Sequence, residues 1–276
     1  MRIRYSSLFD DKLTVLIRSA HSTVISYPTN SRSSHVESNH FDSHMIKAAL
    51  EKVMNEDMAD IWSILSPEEK RLVAENLVIH TFKKNQVIYA EGDDPEFLWC
   101  LFKGKVKKTK EGVGGRVQIL RLIRPVQYFG YRAYFAEEKY VSSATAIEPS
   151  ILGALPMTLV CDIIHNNIQL AWFFIRELSH YLGGSDTKIV NLTQKHIRGR
   201  LAEAIMVLLD NYGYEDDNST LKIYMAREDL ANLSNMTTSN AIRTLSTFVN
   251  EKILVVDGRR IKIINELMLR KISKFG

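Results

Sequence analysis

The sequence is poor in cysteine, because only Cys100 and Cys161 occur among its 276 residues. Two thiols cannot supply the four ligands of a tetracysteine zinc or iron–sulfur site, so the sequence excludes such a centre. The simplest interpretation is a pair of reduced, mostly buried thiols in a cytoplasmic protein.

Long hydrophobic runs and common catalytic motifs are also missing. No apolar run reaches the roughly 18 residues that span a membrane. The sequence has no glycine-rich phosphate loop, no Gly-x-Ser-x-Gly elbow and no His-Glu-x-x-His zinc helix. We therefore expect neither a membrane protein nor an enzyme. The net charge of +4 mildly favours a polyanionic partner.

Residues 1–44 differ in composition from the rest of the chain. They are rich in Ser, His and Asn and contain few candidate core residues. Three interpretations stay open: a disordered tail, a start codon assigned too far upstream, or a metal-binding segment that uses His35, His40 and His44. Because these histidines lack tight ligand spacing, we expect no metal site, and we expect the folded protein to start near Met45 or Met54.

A run of short, glycine-punctuated segments predicts a domain of β-strands. The expected strands are residues 78–82, 87–90, 97–102, 106–110, 117–123, 142–147 and 151–155. Several short strands at this spacing are typical of a barrel or a double-sheet roll. Two short helices should precede them, and Ser66 with Glu69 predicts a capping box at the start of the second.

Residues 167–191 predict one long helix with an apolar stripe. The stripe consists of Ala171, Phe174, Leu178, Tyr181, Ser185 and Ile189, and it is widened by Ile175 and Leu182. This spacing is typical of a coiled-coil-like seam, so we expect the stripe to contact a second copy of the chain. The alternative is a helix that lies on its own β-domain.

Residues 226–251 predict two helices joined by a tight turn. On the second helix, one face repeats Ala241, Leu245, Phe248 and Val249 at helical spacing and should be buried. The other face presents Thr238, Ser239, Ile242, Arg243 and Ser246, and Thr237 should cap the helix. Short polar groups, one apolar tip and one arginine suit a DNA major groove. An ordinary helical hairpin is the alternative.

A β-hairpin should follow the two helices. Residues 253–256 and 259–264 are β-rich, and Asp257-Gly258 between them is a favoured two-residue turn. We expect Arg259 and Arg260 at its tip, where they can contact phosphates. Helix, turn, helix and basic hairpin together form a winged helix-turn-helix.

This order of elements resembles the bacterial cyclic-AMP receptor and fumarate–nitrate regulator superfamily, the Crp/Fnr transcription factors. The resemblance runs from about residue 59 to residue 264, and the segments 84–93 and 98–106 look like the first strand pairs of the family. It implies an α+β fold with an N-terminal double-stranded β-roll, of the cyclic-nucleotide-binding and cupin-type jelly-roll kind. A long dimerisation helix and a C-terminal winged helix-turn-helix complete the fold. The expected segments are an extension at 1–44, a sensor roll at 45–165, the dimerisation helix at 166–191 and the DNA-binding domain at 192–276.

The resemblance also implies which residues read DNA. The family commonly uses a Glu, a Ser and an Arg on the second helix. Arg243 matches the Arg position and should bind guanine O6 and N7. Ser239 stands at the Glu position and Ile242 at the Ser position, so the half-site should differ there, and Ile242 should prefer a thymine methyl. Thr238 matches another reader position. Phosphate contacts are expected from Thr237, Arg227, Arg259, Arg260 and Lys262.

The expected effector pocket departs from the cyclic-AMP pattern. Gly130 and Ser142 match the cassette of the family, but Tyr131 replaces its Glu and Val141 replaces its phosphate-binding Arg. We therefore expect no tight cyclic-AMP binding. The basic residues between 103 and 132 leave an anionic nucleotide open as effector, with Arg132 nearest the cassette, although solvated strand edges are the simpler interpretation. A haem also stays open, because one His or Met ligand suffices.

The resemblance implies a homodimer that binds near-palindromic double-stranded DNA and contacts RNA polymerase. The half-sites should lie about one helical turn apart. An effector in the roll should act on the long helix near Gly183-Gly184 and pivot the DNA-binding domain near residues 191–193. The alternative is a ligand-sensing module that acts through protein contacts without binding DNA.

Overall fold

A computed structural model describes residues 58–276 of the chain. The predictions made for residues 1–44 lie outside the described residues, as does the predicted start of the folded protein. The described part begins with two short helices, α1 (Ala59–Trp62) and α2 (Pro67–Asn76). The predicted capping box is confirmed, because Ser66 Oγ accepts from the Glu69 amide and the Glu69 carboxylate accepts from the Ser66 amide.

The β-roll that follows consists of two antiparallel sheets. Its strands are β1 (Val78–Phe82), β2 (Val87–Tyr89), β3 (Phe97–Lys103), β4 (Val106–Glu111), β5 (Val117–Ile123), β6 (Gln127–Phe129), β7 (Ser143–Ala146) and β8 (Ser150–Pro156). One sheet has the order β1-β8-β3-β6 and the other the order β2-β7-β4-β5. The predicted roll is confirmed. Strand β6 was not predicted, because three residues are too few to show an alternating pattern.

A short helix, α3 (Tyr131–Phe135), begins at Gly130 inside the sequence of the roll. Gly130 has φ +96°, and a Cβ atom there would lie 2.7 Å from the carbonyl oxygen of Phe97. Only glycine combines this conformation with such close backbone packing. The residue therefore fixes where α3 leaves the sheet.

Helix α4 (Met157–Asn166) leads to a long helix, α5 (Ile168–Gln194). Asn167 caps α5, because its side chain accepts from the amides of Gln169 and Leu170. The helix continues through Gly183 and Gly184. The helix ends at Gln194, three residues beyond its predicted end at about residue 191, and Lys195 follows it.

The C-terminal domain contains four helices and one hairpin among the described residues. They are α6 (Ile197–Tyr212), α7 (Arg227–Leu233), α8 (Thr238–Asn250), β9 (Leu254–Asp257), β10 (Arg260–Ile263) and α9 (Glu266–Phe275). The core of this domain includes the fully buried side chains of Leu201, Ile205 and Phe248. The predicted helix, turn, helix and wing are confirmed.

Candidate nucleic-acid interface and effector region

Helix α8 separates an apolar face from a polar one. Ala241, Leu245 and Phe248 are buried in the domain core as predicted. Val249 is 37% exposed, so its predicted burial was wrong, because it lies at the edge of the apolar stripe. The residues on the outer face are all exposed: Thr238, Ser239, Ile242, Arg243 and Ser246. The helix therefore presents to solvent the residues predicted to read DNA.

The start of α8 is fixed by Thr237, whose hydroxyl accepts from the Asn240 amide at 3.3 Å. Asn240 in turn holds the predicted guanine reader, because its Oδ1 accepts from Arg243 Nη2 at 2.7 Å. This bond limits the rotamers that the Arg243 side chain can adopt. Sequence analysis missed Asn240, although its position three residues before Arg243 places the two side chains on one helix face.

The turn before α8 is held from the adjoining helix. Asn235 has φ +49°, in the left-handed region that asparagine tolerates better than most residues. Arg200 on α6 donates from Nη1 to the Asn235 carbonyl at 2.9 Å. The buried Ser234 hydroxyl donates to the Leu230 carbonyl at 2.7 Å. These bonds fix the angle between α7 and α8, and Arg200 was not predicted to contribute.

The wing carries Arg259 at its tip. Asp257 pairs with Arg260 in the β9–β10 ladder, so the two turn residues are Gly258 and Arg259. The predicted Asp-Gly turn was therefore displaced by one residue, because Gly258 takes the positive φ and Asp257 stays in the strand. Arg260 begins β10, is exposed, and places its guanidinium 5.4 Å from the centre of the Tyr224 ring.

Two other predicted phosphate contacts have partners within the chain. Arg227 at the start of α7 donates from Nη2 to the carbonyl of Gly258 and so links the first helix of the motif to the wing turn. Lys262 Nζ lies 3.6 Å from an Asp217 carboxylate oxygen. Arg259 and Arg260 therefore have the most freedom to contact phosphates.

The region of the cyclic-nucleotide cassette is filled by aromatic side chains. Tyr131 is buried, with its ring 5.0 Å from that of Phe174 on α5. Burial raises the pKa of Tyr131 to about 12, although its bond with Arg121 acts in the opposite direction. Tyr140 stacks on Tyr89 with 3.7 Å between ring centres. Tyr131 therefore places a buried phenol, and not a carboxylate, at the position of the cassette Glu.

The remaining cassette residues do not form an anion site together. Gly130 starts α3, and Ser142 is buried. Arg132, which was expected to lie nearest an anionic effector, has a carboxylate of its own, because its Nη2 lies 2.6 Å from Glu138 Oε1. To bind an anionic ligand, Arg132 would have to give up this ion pair.

Helix α5 has two apolar faces. Phe174 is buried against the roll of its own chain, and Leu178 is partly buried in the same cluster. Tyr181 covers basic residues of β4 and β5, and Ala171 is half-buried. Of the predicted seam residues, Leu182 and Ile189 are more than 60% exposed and Ile175 is 48% exposed. Phe174, Leu178 and Tyr181 of the predicted stripe lie against the roll of their own chain, whereas Ile175, Leu182 and Ile189 face solvent.

A second stripe on α5 stays open to solvent. It consists of Ile168, Trp172, Ile175, Leu182 and Ile189, each about half to two-thirds exposed. The four aliphatic residues repeat at intervals of seven, as the a positions of a heptad do. Ala171, Leu178, Ser185 and Leu192 fall at the d positions of the same heptads, and Trp172 falls at an e position. The open stripe therefore shares one heptad seam with part of the predicted stripe. This face has no partner among the described residues.

The DNA-binding domain packs against the β4–β5 hairpin. Ile119, Leu122 and Ile147 of the roll are buried in the same hydrophobic cluster as the core of the C-terminal domain. Lys107 Nζ on β4 lies 2.5 Å from Asp229 Oδ1 on α7. At the far end, Asn191 and Lys195 of α5 both donate to the carboxylate of Glu203 on α6. The roll is therefore connected to the first helix of the motif by direct contacts.

Two features are absent from residues 58–276. No group of three His, Cys, Asp or Glu side chains is close enough to hold a metal ion. No helix within that range has both the length and the apolar character needed to cross a bilayer. Cys100 is buried and Cys161 is partly buried, and the described residues contain no disulfide between them.

A β-roll that continues through a long helix into an exposed winged helix-turn-helix defines a class of ligand-responsive DNA-binding proteins. The model of the cyclic nucleotide-binding domain matches residues 79–167, and that of the Crp-like helix-turn-helix domain matches residues 199–272. The chain belongs to the Crp/Fnr family of transcription regulators. It is thus a DNA-binding regulator of transcription.

Relatives and solved structures agree with this assignment. The global nitrogen regulator of Nostoc sp. is 23% identical over 189 residues, which are 67% of this chain and 85% of the relative. The fumarate and nitrate reduction regulatory protein of Vibrio cholerae is 24% identical over 192 residues, covering 69% and 76%. The structure of FixK2 from Bradyrhizobium japonicum has the same fold, with a TM-score of 0.65, 20% identity, and coverage of 71% of this chain and 97% of that one.

Proposed function

We propose that the protein is a homodimeric, sequence-specific transcription regulator whose roll responds to an effector other than cyclic AMP. The exposed outer face of α8, with Arg243 held by Asn240, is the observation that carries the DNA-reading part. Arg243 would bind guanine in the major groove, beside Ser239, Ile242 and Thr238. The wing arginines Arg259 and Arg260 would contact phosphates, with further phosphate contacts from Thr237 and Arg227.

Dimerisation would use the open heptad a positions of α5 together with the d positions beside them. Regulators with a Crp-like helix-turn-helix domain bind DNA and act as dimers. Ile168, Ile175, Leu182 and Ile189 share one face at a heptad spacing, which is the pattern that a second identical helix fits. Two recognition helices would then meet two half-sites of a near-palindromic duplex. Contact with RNA polymerase and a cytoplasmic location follow from this role.

The cassette argues against cyclic AMP as the effector. Tyr131 and Val141 stand where a ribose-binding Glu and a phosphate-binding Arg would be needed. Tyr131 is buried against α5, and Val141 is exposed and apolar. A buried cyclic phosphate would therefore lose its charge-assisted partner.

Site selection from a random duplex pool tests the function. The full chain, without added ligand and again in cell extract, is expected to enrich a two-fold-symmetric motif that contains a guanine in each half-site. The extract supplies a natural effector if binding requires one. Absence of any enriched motif under both conditions would contradict the proposal, and an asymmetric motif would contradict the dimeric arrangement.

The same selection tests the role of Ile242. We expect Ile242→Ser to change the base preference at one position of each half-site, because the side chain would lose its apolar contact with a thymine methyl. Asn250→Ala, at an exposed position at the far end of the same helix, serves as the control. An unchanged motif in Ile242→Ser would show that Ile242 does not read a base.

A further inference from the structure

Lys108 on β4 and Arg121 on β5 lie directly opposite each other across the antiparallel ladder. Like charges in this position destabilise a sheet, so the pair needs a compensating interaction. The register of the ladder shifts immediately beyond it, between Lys108 and Thr109. Such irregularities often redirect side chains next to binding sites.

Helix α5 covers this pair with an aromatic ring and not with an acid. The centre of the Tyr181 ring lies 5.9 Å from Lys108 Nζ and 5.7 Å from the guanidinium carbon of Arg121. Arg121 and Glu177 both lie near the Tyr131 phenol and act on its pKa in opposite directions, Arg121 lowering it and Glu177 raising it. Within residues 58–276, neither cation has a carboxylate at ion-pair distance.

Other basic residues of the same region do have carboxylate partners. Lys105 pairs with Glu148, Lys107 with Asp229, Lys110 with Glu91 and Arg132 with Glu138. Lys108 and Arg121 are also only partly exposed, so water screens them less well than the exposed strand edges. Burial, followed by repulsion from Arg121 and Arg132, lowers the pKa of Lys108 to about 8. The region therefore carries a positive potential that its own side chains do not neutralise.

Space for a small molecule adjoins Arg121. A cavity of about 310 Å³ lies between β5, α5 and α6, and Arg121 lines it. This volume is at the lower end of the range for ligand pockets. The three other charged side chains of the cavity are already engaged. Lys188 donates to the carbonyls of Ile119 and Leu120, Arg200 donates to the carbonyl of Asn235, and Glu203 accepts from Lys195.

We propose that Lys108 and Arg121 together bind a small anion with carboxylate or phosphate groups, beside Tyr131 and Tyr181 between the β4–β5 hairpin and helix α5. This inference rests on the proposed function, since the anion would be the effector of the roll. It replaces the missing cassette arginine with two cations from different strands. The paired arrangement suits a carboxylate or phosphate, because each such group accepts charge-assisted hydrogen bonds at more than one oxygen.

Thermal unfolding and calorimetric titration of the full chain, without DNA, test the site. The probes are inorganic phosphate, pyrophosphate and citrate, each compared with sodium chloride at equal ionic strength. At least one probe is expected to stabilise the wild type more than chloride does. Lys108→Gln and Arg121→Gln should each weaken its binding roughly 10- to 150-fold, the value of one hydrogen bond to a charged group. Lys110→Gln, which removes an equal charge from the same strand, should bind the probe as the wild type does.

The unfolding midpoints of the same variants without ligand distinguish an anion site from a purely structural contact of these cations with Tyr181. Removing one of two opposed cations should leave the unfolding midpoint of Lys108→Gln unchanged or higher. A lower midpoint, with probe binding retained, would overturn the proposal, as would equal responses of all variants or no probe acting beyond chloride. Because these titrations contain no DNA, they succeed or fail independently of the site selection.

Discussion

Replacing both Leu182 and Ile189 with glutamate is expected to convert the proposed dimer into a monomer. Both side chains are more than 60% exposed in the single chain, so the substitutions create no cavity in the monomer core. In a dimer they would place four carboxylates in one apolar seam, where burying unpaired charge is costly. Binding to a duplex with two half-sites should weaken roughly 10²- to 10⁴-fold, because the second half-site is no longer bound by a linked domain.

Sedimentation equilibrium and fluorescence anisotropy with the selected duplex measure these effects. The matched control is Val190→Glu, which changes an exposed apolar residue of the same helix outside the heptad a and d positions. Circular dichroism should show that all variants keep their helix content. A dimeric Leu182→Glu/Ile189→Glu variant would contradict the open stripe as the interface, and Tyr181→Glu would then test the face of α5 that lies on the roll.

Arg243→Ala is expected to abolish the guanine preference of the motif. A bidentate contact of arginine with guanine contributes about 1–3 kcal/mol of discrimination, so each half-site should lose roughly 5- to 150-fold. A dimer loses this discrimination at both half-sites. Arg243→Lys should not restore discrimination fully, because a lysine cannot make the planar pair of bonds. Asn240→Ala should have a smaller effect in the same direction, since it only removes the bond that orients Arg243.

Competition binding with duplexes that differ at the guanine position measures this loss. Arg259→Ala is the control, because a phosphate contact should weaken all sequences uniformly and reduce the salt slope by about 1. The Arg243 variant should instead reduce affinity mainly for the guanine-containing duplex. A uniform loss across sequences in Arg243→Ala would assign this residue to the phosphate backbone and leave the base readout to its neighbours.

The DNA-binding half of the chain could be predicted because its signals are local. Thr237 at a cap, the apolar positions Ala241, Leu245 and Phe248, and the glycine of the wing each act within a few residues along the chain. Errors there are small, such as the one-residue displacement of the turn at Gly258. The same local pattern predicts which residues of α8 are exposed, because an amphipathic helix that packs on a core leaves its polar face in solvent.

The long helix shows what a local pattern cannot decide. Helix α5 has apolar residues around most of its circumference, so periodicity identifies two stripes and not their partners. Phe174 meets the roll because Tyr131 and Phe135 are brought beside it by the start of α3. Lys108 and Arg121 lie opposite each other because of the register between β4 and β5. The sequence does not show this register, since the two residues are thirteen positions apart. The position of the break at Lys195 likewise depends on contacts with α6.

The adjacent lysines of β4 have a thermodynamic consequence. Side chains alternate along a strand, and Lys107 contacts Asp229 of the DNA-binding domain while Lys108 lies over Tyr181 on the opposite face. A ligand held on one face and a domain held on the other would share one rigid segment of backbone. If such a ligand changes the affinity for DNA by some factor, DNA must change the affinity for the ligand by the same factor. The protein bound to its operator would then respond to a different range of ligand concentrations from the free protein.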